Sequence, residues 1–306
     1  MISFRYHIVS LVAVILALAV GIVVGTTALN GPVTKDLRHQ VDGLKKDRAD
    51  LADQLKSLQG QVDTAGQFAT TFGAQLVAGT LTDDKVLIVS LPGTSTGMVD
   101  GIANQLSAAG AKITGRLELA NSYIDPAQAD SIQGLATSTG GARPFDLTLP
   151  VTSDARVLAA AMLAFVLTGH GQATDIKAVL GSFSGLHMIA SDPAGIEPAT
   201  NVVVLGNGAQ PKDDYAGVAE FDLVSQLTQK NAKVVVAGDT GSAQANGVVG
   251  LARDGTTKSS VSTIDNANTA FGQVSTALAM AGALHSQLGH YGTGKGAQAL
   301  FPTTTK

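Results

Sequence analysis

The sequence predicts an α/β protein with an N-terminal transmembrane helix, a dimeric coiled-coil stalk and a Rossmann-like, largely parallel α/β domain. Residues 8–29 form an apolar run without a charge, and a heptad repeat of apolar side chains begins just after Asp36. From Asp84 onward, short apolar runs alternate with segments of helical composition. These three observations place the anchor at 1–30, the stalk at 33–80, the globular domain at 81–291 and a disordered, Gly- and Thr-rich tail at 292–306.

The apolar run of 22 residues is long enough to cross a membrane as a helix. A rise of about 1.5 Å per residue gives a length of roughly 33 Å, which matches the hydrocarbon core of a bilayer. Ala17, Gly21 and Gly25 recur at every fourth position, and small residues at this spacing let two membrane helices approach closely. The same residues are common in membrane helices that do not pair, so both interpretations of this face stay open.

A cleaved signal peptide is the alternative interpretation of the N-terminal segment. Arg5 supplies a basic start, and Ala17-Leu18-Ala19 fits a small-x-small cleavage site. The apolar run continues well beyond Ala19, which favours an uncleaved anchor. The charge count alone would place the domain in the cytoplasm, because one basic residue, Arg5, precedes the run, whereas Lys35, Arg38, Lys45 and Lys46 follow it. The later residues belong to a mixed-charge helix, and long domains translocate largely regardless of charge. The signal-like start therefore decides, and we expect the N-terminus inside and the C-terminal domain outside the cytoplasm, in the cell envelope. The choice between inner and outer membrane stays open.

Apolar side chains follow the anchor at alternating spacings of four and three residues, which is the pattern of a coiled coil. Leucine fills every d position up to Leu58, which suits a parallel dimer, whereas Arg48 places a charge at an a position where it can fix the register. An amphipathic helix lying along its own domain is the alternative, and the long Pro-free repeat favours pairing. The seam consists of Leu37, Val41, Leu44, Arg48, Leu51, Leu55, Leu58 and Val62, and it continues more weakly through Ala65, Ala69, Phe72 and Leu76.

The segment after the stalk has the alternating pattern of a parallel sheet covered by helices. Strands that are apolar on both faces are typical of sheets buried between two helical layers. We expect strands at 85–90, 111–117, 201–205 and 233–237, and helices at 98–109, 156–167, 221–231 and 268–287.

Three of the predicted strands end in Gly-rich turns. The carboxyl ends of parallel strands share one edge of a sheet, where ligands usually bind. None of the turns has a phosphate-binding motif, and tight strand-to-helix turns need glycine whatever the function. Asp239 is expected to cap the helical segment that follows it. The possible ligand edge comprises Gly93, Gly97, Gly206, Gly208, Gly238 and Asp239.

Composition restricts the classes of function. A net charge of −4 on 306 residues gives no electrostatic reason to bind nucleic acid, and the absence of cysteine excludes disulfides, thiol catalysis and cysteine metal sites. No Gly-x-Ser-x-Gly elbow lies between a strand and a helix, so we predict a non-enzyme without a resident cofactor. His187 and Met188 are the only adjacent His–Met pair and are weak candidates for copper, which accepts imidazole and soft sulfur ligands.

The opening MISFRYHIVSL, the GTTALNGP segment and the start of the stalk at Leu37 resemble the actinobacterial copper transport protein MctB family. The resemblance implies a mycolic-acid-type cell envelope, copper efflux or homeostasis, and an outer-membrane pore. For corynebacterial relatives it also implies daughter-cell separation with a cytoplasmic partner. A membrane barrel needs strands of alternating apolar and polar residues and girdles of aromatic residues. Only 4% of the residues in the whole sequence are aromatic, which favours a scaffold over a pore.

Three hypotheses about function therefore follow from the sequence. The first is copper homeostasis through a homodimeric coiled-coil scaffold, and the second is an envelope scaffold for cell division with a cytoplasmic or membrane partner and a cell-envelope partner. The third is a small-ligand-binding or enzymatic α/β domain, which rests only on the Gly-rich edge. Direct binding of copper is implied by the family resemblance alone.

Overall fold

The computed structural model describes residues 4–138, 143–191, 195–211 and 215–303. The chain divides into two compact units, Met1–Thr64 and Ala65–Lys306. Helix α1 (Phe4–Val77) contributes to both units and continues through position 32. The predicted anchor at 1–30 and the predicted stalk at 33–80 therefore share one helix as far as Val77.

The second unit contains a seven-stranded sheet in the order β3-β2-β1-β4-β5-β6-β7. All neighbouring strands are parallel except β3, which is antiparallel to β2. Helices connect the central strands on both faces, and the strand order reverses direction between β1 and β4. The strands are β1 (Lys85–Ser90), β2 (Lys112–Leu119), β3 (Ile189–Ser191), β4 (Asn201–Gly206), β5 (Lys233–Gly238), β6 (Val261–Ile264) and β7 (His290–Tyr291).

Helices cover both faces of the sheet. The last turns of α1 together with α2 and α8 pack on one face, and α3 to α7 pack on the other. These helices are α2 (Thr96–Ala108), α3 (Ala129–Thr137), α4 (Ala155–Leu167), α5 (Ala173–Gly185), α6 (Tyr215–Gln229), α7 (Val248–Asp254) and α8 (Ala270–Leu284). The predicted mixed α/β class with a largely parallel sheet is therefore confirmed.

The apolar runs form strands because each strand serves two cores at once. Along β4, Val202 and Val204 belong to the core under α3 to α7, whereas Val203 and Leu205 belong to the core under α2 and α8. All four side chains are fully buried. A strand with helices on both sides has no solvent face, so its sequence shows no polar alternation.

Of the tail predicted as disordered at 292–306, the structure describes residues 292–303, and these make hydrogen bonds with the α/β unit. Residues 304–306 lie outside the described residues. After β7 the chain turns back, and the amide of Gly292 donates to the carbonyl of Ala299 at 3.0 Å. The guanidinium of Arg253 also holds this segment, through Nη2 to the carbonyl of Tyr291 at 2.8 Å and Nη1 to that of Lys295 at 2.9 Å. The Gly-rich composition of this segment suggested disorder. The hydrogen bonds that hold it come from residues far away in the chain, and such partners leave no local pattern in the sequence.

Arg253 holds the segment from within a buried ion pair. Its Nη1 lies 2.8 Å from Oδ2 of Asp265, and the two residues are 2% and 0% exposed. Its Nε donates to Oγ1 of Thr263 at 2.8 Å. Asp265 also accepts from the amides of Thr293 at 2.8 Å and Gly294 at 2.9 Å. Such a buried pair is stable only when its remaining hydrogen-bonding groups are satisfied, and the C-terminal segment supplies those partners.

Candidate functional site

The predicted heptad seam is an exposed apolar stripe on helix α1. Its seven apolar side chains between Leu37 and Val62 range from 43% exposed at Val41 to 68% exposed at Leu44. Arg48, the charged a-position residue of the seam, is exposed as well. Exposed apolar surface of this extent marks an interaction site.

The weak continuation of the seam differs from the prediction at Ala69. This residue is only 2% exposed and belongs to the face of α1 that packs on its own α/β unit. On the same face, a Cβ at Gly73 would lie 2.6 Å from Cγ2 of Val274 in α8, so the two helices approach closely there. Ala69 is therefore unavailable to a second helix, whereas Phe72 and Leu76 stay exposed.

Within the part of the chain that the structure describes, one segment is long and apolar enough to cross a membrane. It is Phe4–Thr26, at the start of α1, and its side chains are almost all exposed. The segment has the length and composition of a membrane helix, and a signal sequence has the same properties. Ala17, Gly21 and Gly25 lie in this segment, and a Cβ at either glycine would meet no atom within 4 Å, so the face is open.

The structure brings the predicted Gly-rich turns together at the carboxyl edge of the sheet. Nδ2 of Asn207 donates to the carbonyl of Gly93 at 3.2 Å, and the amide of Gly208 donates to Oδ1 of Asp239 at 2.8 Å. Gly93 and Gly208 have φ angles of 79° and 67°, in the left-handed region that favours glycine. The turns are thus joined by hydrogen bonds among themselves.

Asp239 caps the short 3-10 helix Thr240–Ala243, as the sequence predicted. Its Oδ1 accepts from the amide of Ser242 at 2.9 Å. Gly238, at the end of β5, lies so close to the same turn that a Cβ there would meet Oγ of Ser242 at 2.3 Å. Gly97 lies in the first turn of α2, and Gly206 is the last residue of β4. These contacts give the edge a structural function.

A small open cavity of about 280 Å³ lies at the carboxyl ends of β1 and β2. Hydroxyl groups and the guanidinium of Arg116 line the cavity. This guanidinium is ion-paired, since its Nη1 lies 2.6 Å from Oδ1 of Asp100. The lining of the cavity includes Ser90, Thr94, Thr96, Arg116, Glu118 and Ser191. The sequence did not predict this cavity, since its lining comes from strands and turns far apart in the chain.

The two candidate copper ligands do not converge. His187 lies in the turn between α5 and β3 with a φ of 55°, and it is exposed, whereas Met188 is fully buried in the core. Both residues precede β3, which begins at Ile189. In the described ranges, no three His, Asp or Glu residues are grouped closely enough to hold a metal ion.

A polar cluster that the sequence did not predict surrounds Arg156 at the start of α4. Its guanidinium binds the carboxylate of Asp154 through Nε at 3.0 Å and Nη2 at 2.5 Å. These hydrogen bonds lower the pKa of Asp154 and raise that of Arg156. The same guanidinium stacks over the ring of Tyr215, 4.9 Å from its centroid, and its Nε lies 3.9 Å from Oδ2 of Asp222.

Asp222 is the group of this cluster whose pKa is moved toward neutrality. Burial raises its pKa to about 6, an effect that Arg156 partly offsets and the charge of Asp154 reinforces. Its Oδ2 and the hydroxyls of Tyr123 and Tyr215 are buried without a hydrogen-bond partner in the described structure. Burial, with the charge of Asp222, also raises the pKa of Tyr123 far above its usual value. The cluster can therefore take up a proton near pH 6.

Together these features define an α/β protein with one apolar N-terminal helix of membrane-spanning length, as expected of a membrane-anchored envelope protein. The chain belongs to the MctB family, since the model described as "Copper transport outer membrane protein, MctB" matches residues 1–302. Copper transporter MctB of Mycobacterium tuberculosis is 26% identical over 98% of this chain and 99% of its own length. The protein of that name from Mycobacterium leprae is also 26% identical, with the same coverage. The resemblance to this family is confirmed.

Proposed function

We propose that this protein is a membrane-anchored envelope protein that acts in copper homeostasis as a parallel homodimer. The exposed heptad seam of α1 carries the proposal. Burial of an exposed leucine side chain contributes roughly 1.5–3 kcal/mol, and association costs about 4–15 kcal/mol. Seven apolar seam residues in each copy are therefore enough to hold two chains together.

Arg48 supports a parallel and in-register arrangement. It occupies an a position, and the residue before it, Asp47, occupies the preceding g position. In a parallel coiled coil, an a-position side chain packs beside the preceding g position of the partner helix. Arg48 of each copy would then lie next to the Asp47 carboxylate of the other copy, which offsets part of the cost of a charge in the seam.

The copper function is proposed from the family and the names of its relatives. We propose that it acts through partners, because the His187 and Met188 side chains diverge and zero cysteine leaves no thiolate ligand. The α/β domain is proposed to lie outside the cytoplasm and to have no catalytic activity, since the hydrogen bonds of its Gly-rich edge are made between its own turns. The protein would then be a scaffold and not a self-sufficient pore.

The test uses the full chain, purified in detergent, and a deletion strain. We expect the wild type to sediment as a dimer, and the double variant Leu44→Asn/Leu51→Asn to sediment as a monomer with an unchanged α/β fold by circular dichroism. The matched control is Lys46→Asn/Asp53→Asn, which changes exposed side chains at f positions of the same heptads. A monomeric wild type at tens of micromolar would contradict the dimer.

The same variants separate copper homeostasis from the division scaffold. Copper tolerance should fall to the level of the deletion strain with the double variant and stay at the wild-type level with the control. If the double variant loses daughter-cell separation while copper tolerance is intact, the division scaffold replaces copper homeostasis as the function of the dimer.

A further inference from the structure

The last three turns of α1 have two different apolar faces. One face, formed by Ala69, Gly73 and Val77, packs on the α/β unit, where Ala69 is 2% and Val77 is 0% exposed. The second face carries Phe68, Phe72 and Leu76, and we call these three residues the aromatic stripe. Because the first face already attaches the helix to its own unit, the stripe is not required for that attachment.

The aromatic stripe is a continuous apolar surface open to solvent. Phe68, Phe72 and Leu76 are 56%, 42% and 58% exposed. They follow one another at a spacing of four residues, so they lie along one side of the helix. The two phenylalanine rings contact each other with their centroids 4.8 Å apart. An apolar surface that is ordered by its own contacts and left uncovered is typical of an interface.

The heptad phase identifies what covers the stripe. Phe72 lies fourteen residues after Leu58 and therefore has the same d position, and Leu76 lies fourteen residues after Val62 at the same a position. Phe68 falls on the flanking g position. A surface in phase with a coiled-coil seam fits the identical surface of a second parallel helix, in an isologous contact.

We infer that the aromatic stripe packs against the same stripe of a second copy of this chain. The dimer contact thus skips Ala69, which is engaged by its own unit, and resumes at Phe72 and Leu76 within the α/β unit. This inference rests on the proposed dimer and adds a second, aromatic contact to it. The contact would join the α/β units of the two copies through the C-terminal turns of their α1 helices.

The chain has no cysteine, so single cysteines report the contact without any background. Phe72→Cys and Leu76→Cys test the stripe, and Leu51→Cys reports on the stalk separately. Thr71→Cys and Ala74→Cys are matched controls, because both positions are exposed but lie at c and f of the same heptad. A disulfide needs Cα atoms about 4.4–6.8 Å apart, which a and d positions of a parallel pair provide.

The experiment follows disulfide-linked dimers of the full-length variants in membranes after addition of diamide. We expect Phe72→Cys and Leu76→Cys to form dimers at a rate within threefold of Leu51→Cys and at least tenfold faster than either control. If Leu51→Cys forms dimers while both stripe variants behave like the controls, the stalk dimer stands and the stripe contact is wrong. If Leu51→Cys also fails, the proposed dimer and this inference are both wrong.

A second readout tests for a different occupant. The readout is the rate at which a water-soluble maleimide labels the cysteine of Phe72→Cys. This rate should rise when Leu44→Asn/Leu51→Asn is combined with it, because loss of the stalk dimer uncovers the aromatic stripe. Protection of Phe72→Cys that persists in that monomeric background would show that lipid or another protein covers the stripe, and would overturn the inference.

Discussion

Replacement of Asp222 by asparagine should stabilise the protein strongly at pH 8 and only slightly at pH 4. Asp222 lies in α6 with its side chain only 18% exposed, and its nearest cation, Arg156, is held chiefly by Asp154. Burial therefore penalises the charged form and raises the pKa to about 6. Asparagine has nearly the same shape and carries no charge at either pH.

The magnitude follows from the difference between the folded and unfolded pKa values. The pKa rises from 3.8 to about 6, and each unit corresponds to about 1.36 kcal/mol. The charge on Asp222 thus costs the folded state about 2–3 kcal/mol once it is fully formed. Because the folded pKa is the higher one, the cost is absent below pH 3.8, develops between pH 3.8 and 6, and is constant above that.

The assay is urea unfolding of the full chain in detergent, followed by circular dichroism at pH 4 and pH 8. We expect Asp222→Asn to raise the free energy of unfolding by about 2 kcal/mol at pH 8 and by less than about 0.5 kcal/mol at pH 4. Asp146→Asn, at an exposed carboxylate, is the control and should change neither value. Equal effects at the two pH values, or a loss of stability at pH 8, would refute the reasoning.

Two further predictions concern packing in the α/β unit. Arg253→Leu should lower the free energy of unfolding by about 3–5 kcal/mol and make residues 291–299 sensitive to protease, because it leaves a buried carboxylate unpaired. Arg116→Leu, which breaks a half-exposed pair, should cost less than about 1 kcal/mol, and equal losses would contradict this account. Gly73→Ala should destabilise the protein by about 1 kcal/mol or more, because its Cβ would meet Val274. Gly60→Ala should stabilise it by up to about 1 kcal/mol, because a Cβ at Gly60 meets no atom within 4 Å and alanine favours the helix. Thermal unfolding measures both effects.

Three of the four strands that the sequence predicted, β1, β4 and β5, have an apolar pattern on both faces. β6 was missed because Ser262 and Thr263 interrupt it, although both are fully buried. Oγ of Ser262 accepts from the amide of Gly289, and Oγ1 of Thr263 accepts from Arg253, so these polar groups are satisfied by residues distant in sequence. Burial of a polar side chain that depends on such partners leaves no local signal.

The same distinction separates the predicted from the missed functional features. The heptad seam and the cap at Asp239 follow from local spacing, and the sequence shows both. The cluster of Tyr123, Arg156 and Asp222 comes from three separate elements that meet only when α4 and α6 pack together. Conversely, His187 and Met188 suggested a copper site only because they are adjacent in sequence. The turn that follows α5 leaves His187 exposed and places Met188 in the core.

The hydrogen bonds between Arg253 and the C-terminal segment have a consequence for the order in which the α/β unit folds, because they join groups far apart in the chain. Arg253 and Asp265 leave the ribosome before the carbonyls of Tyr291 and Lys295 and the amides of Thr293 and Gly294 that complete their hydrogen bonds. Until those groups emerge, burial of the guanidinium and the carboxylate costs several kcal/mol. We therefore expect the β6 edge of the sheet to close only together with β7 and the segment that follows it.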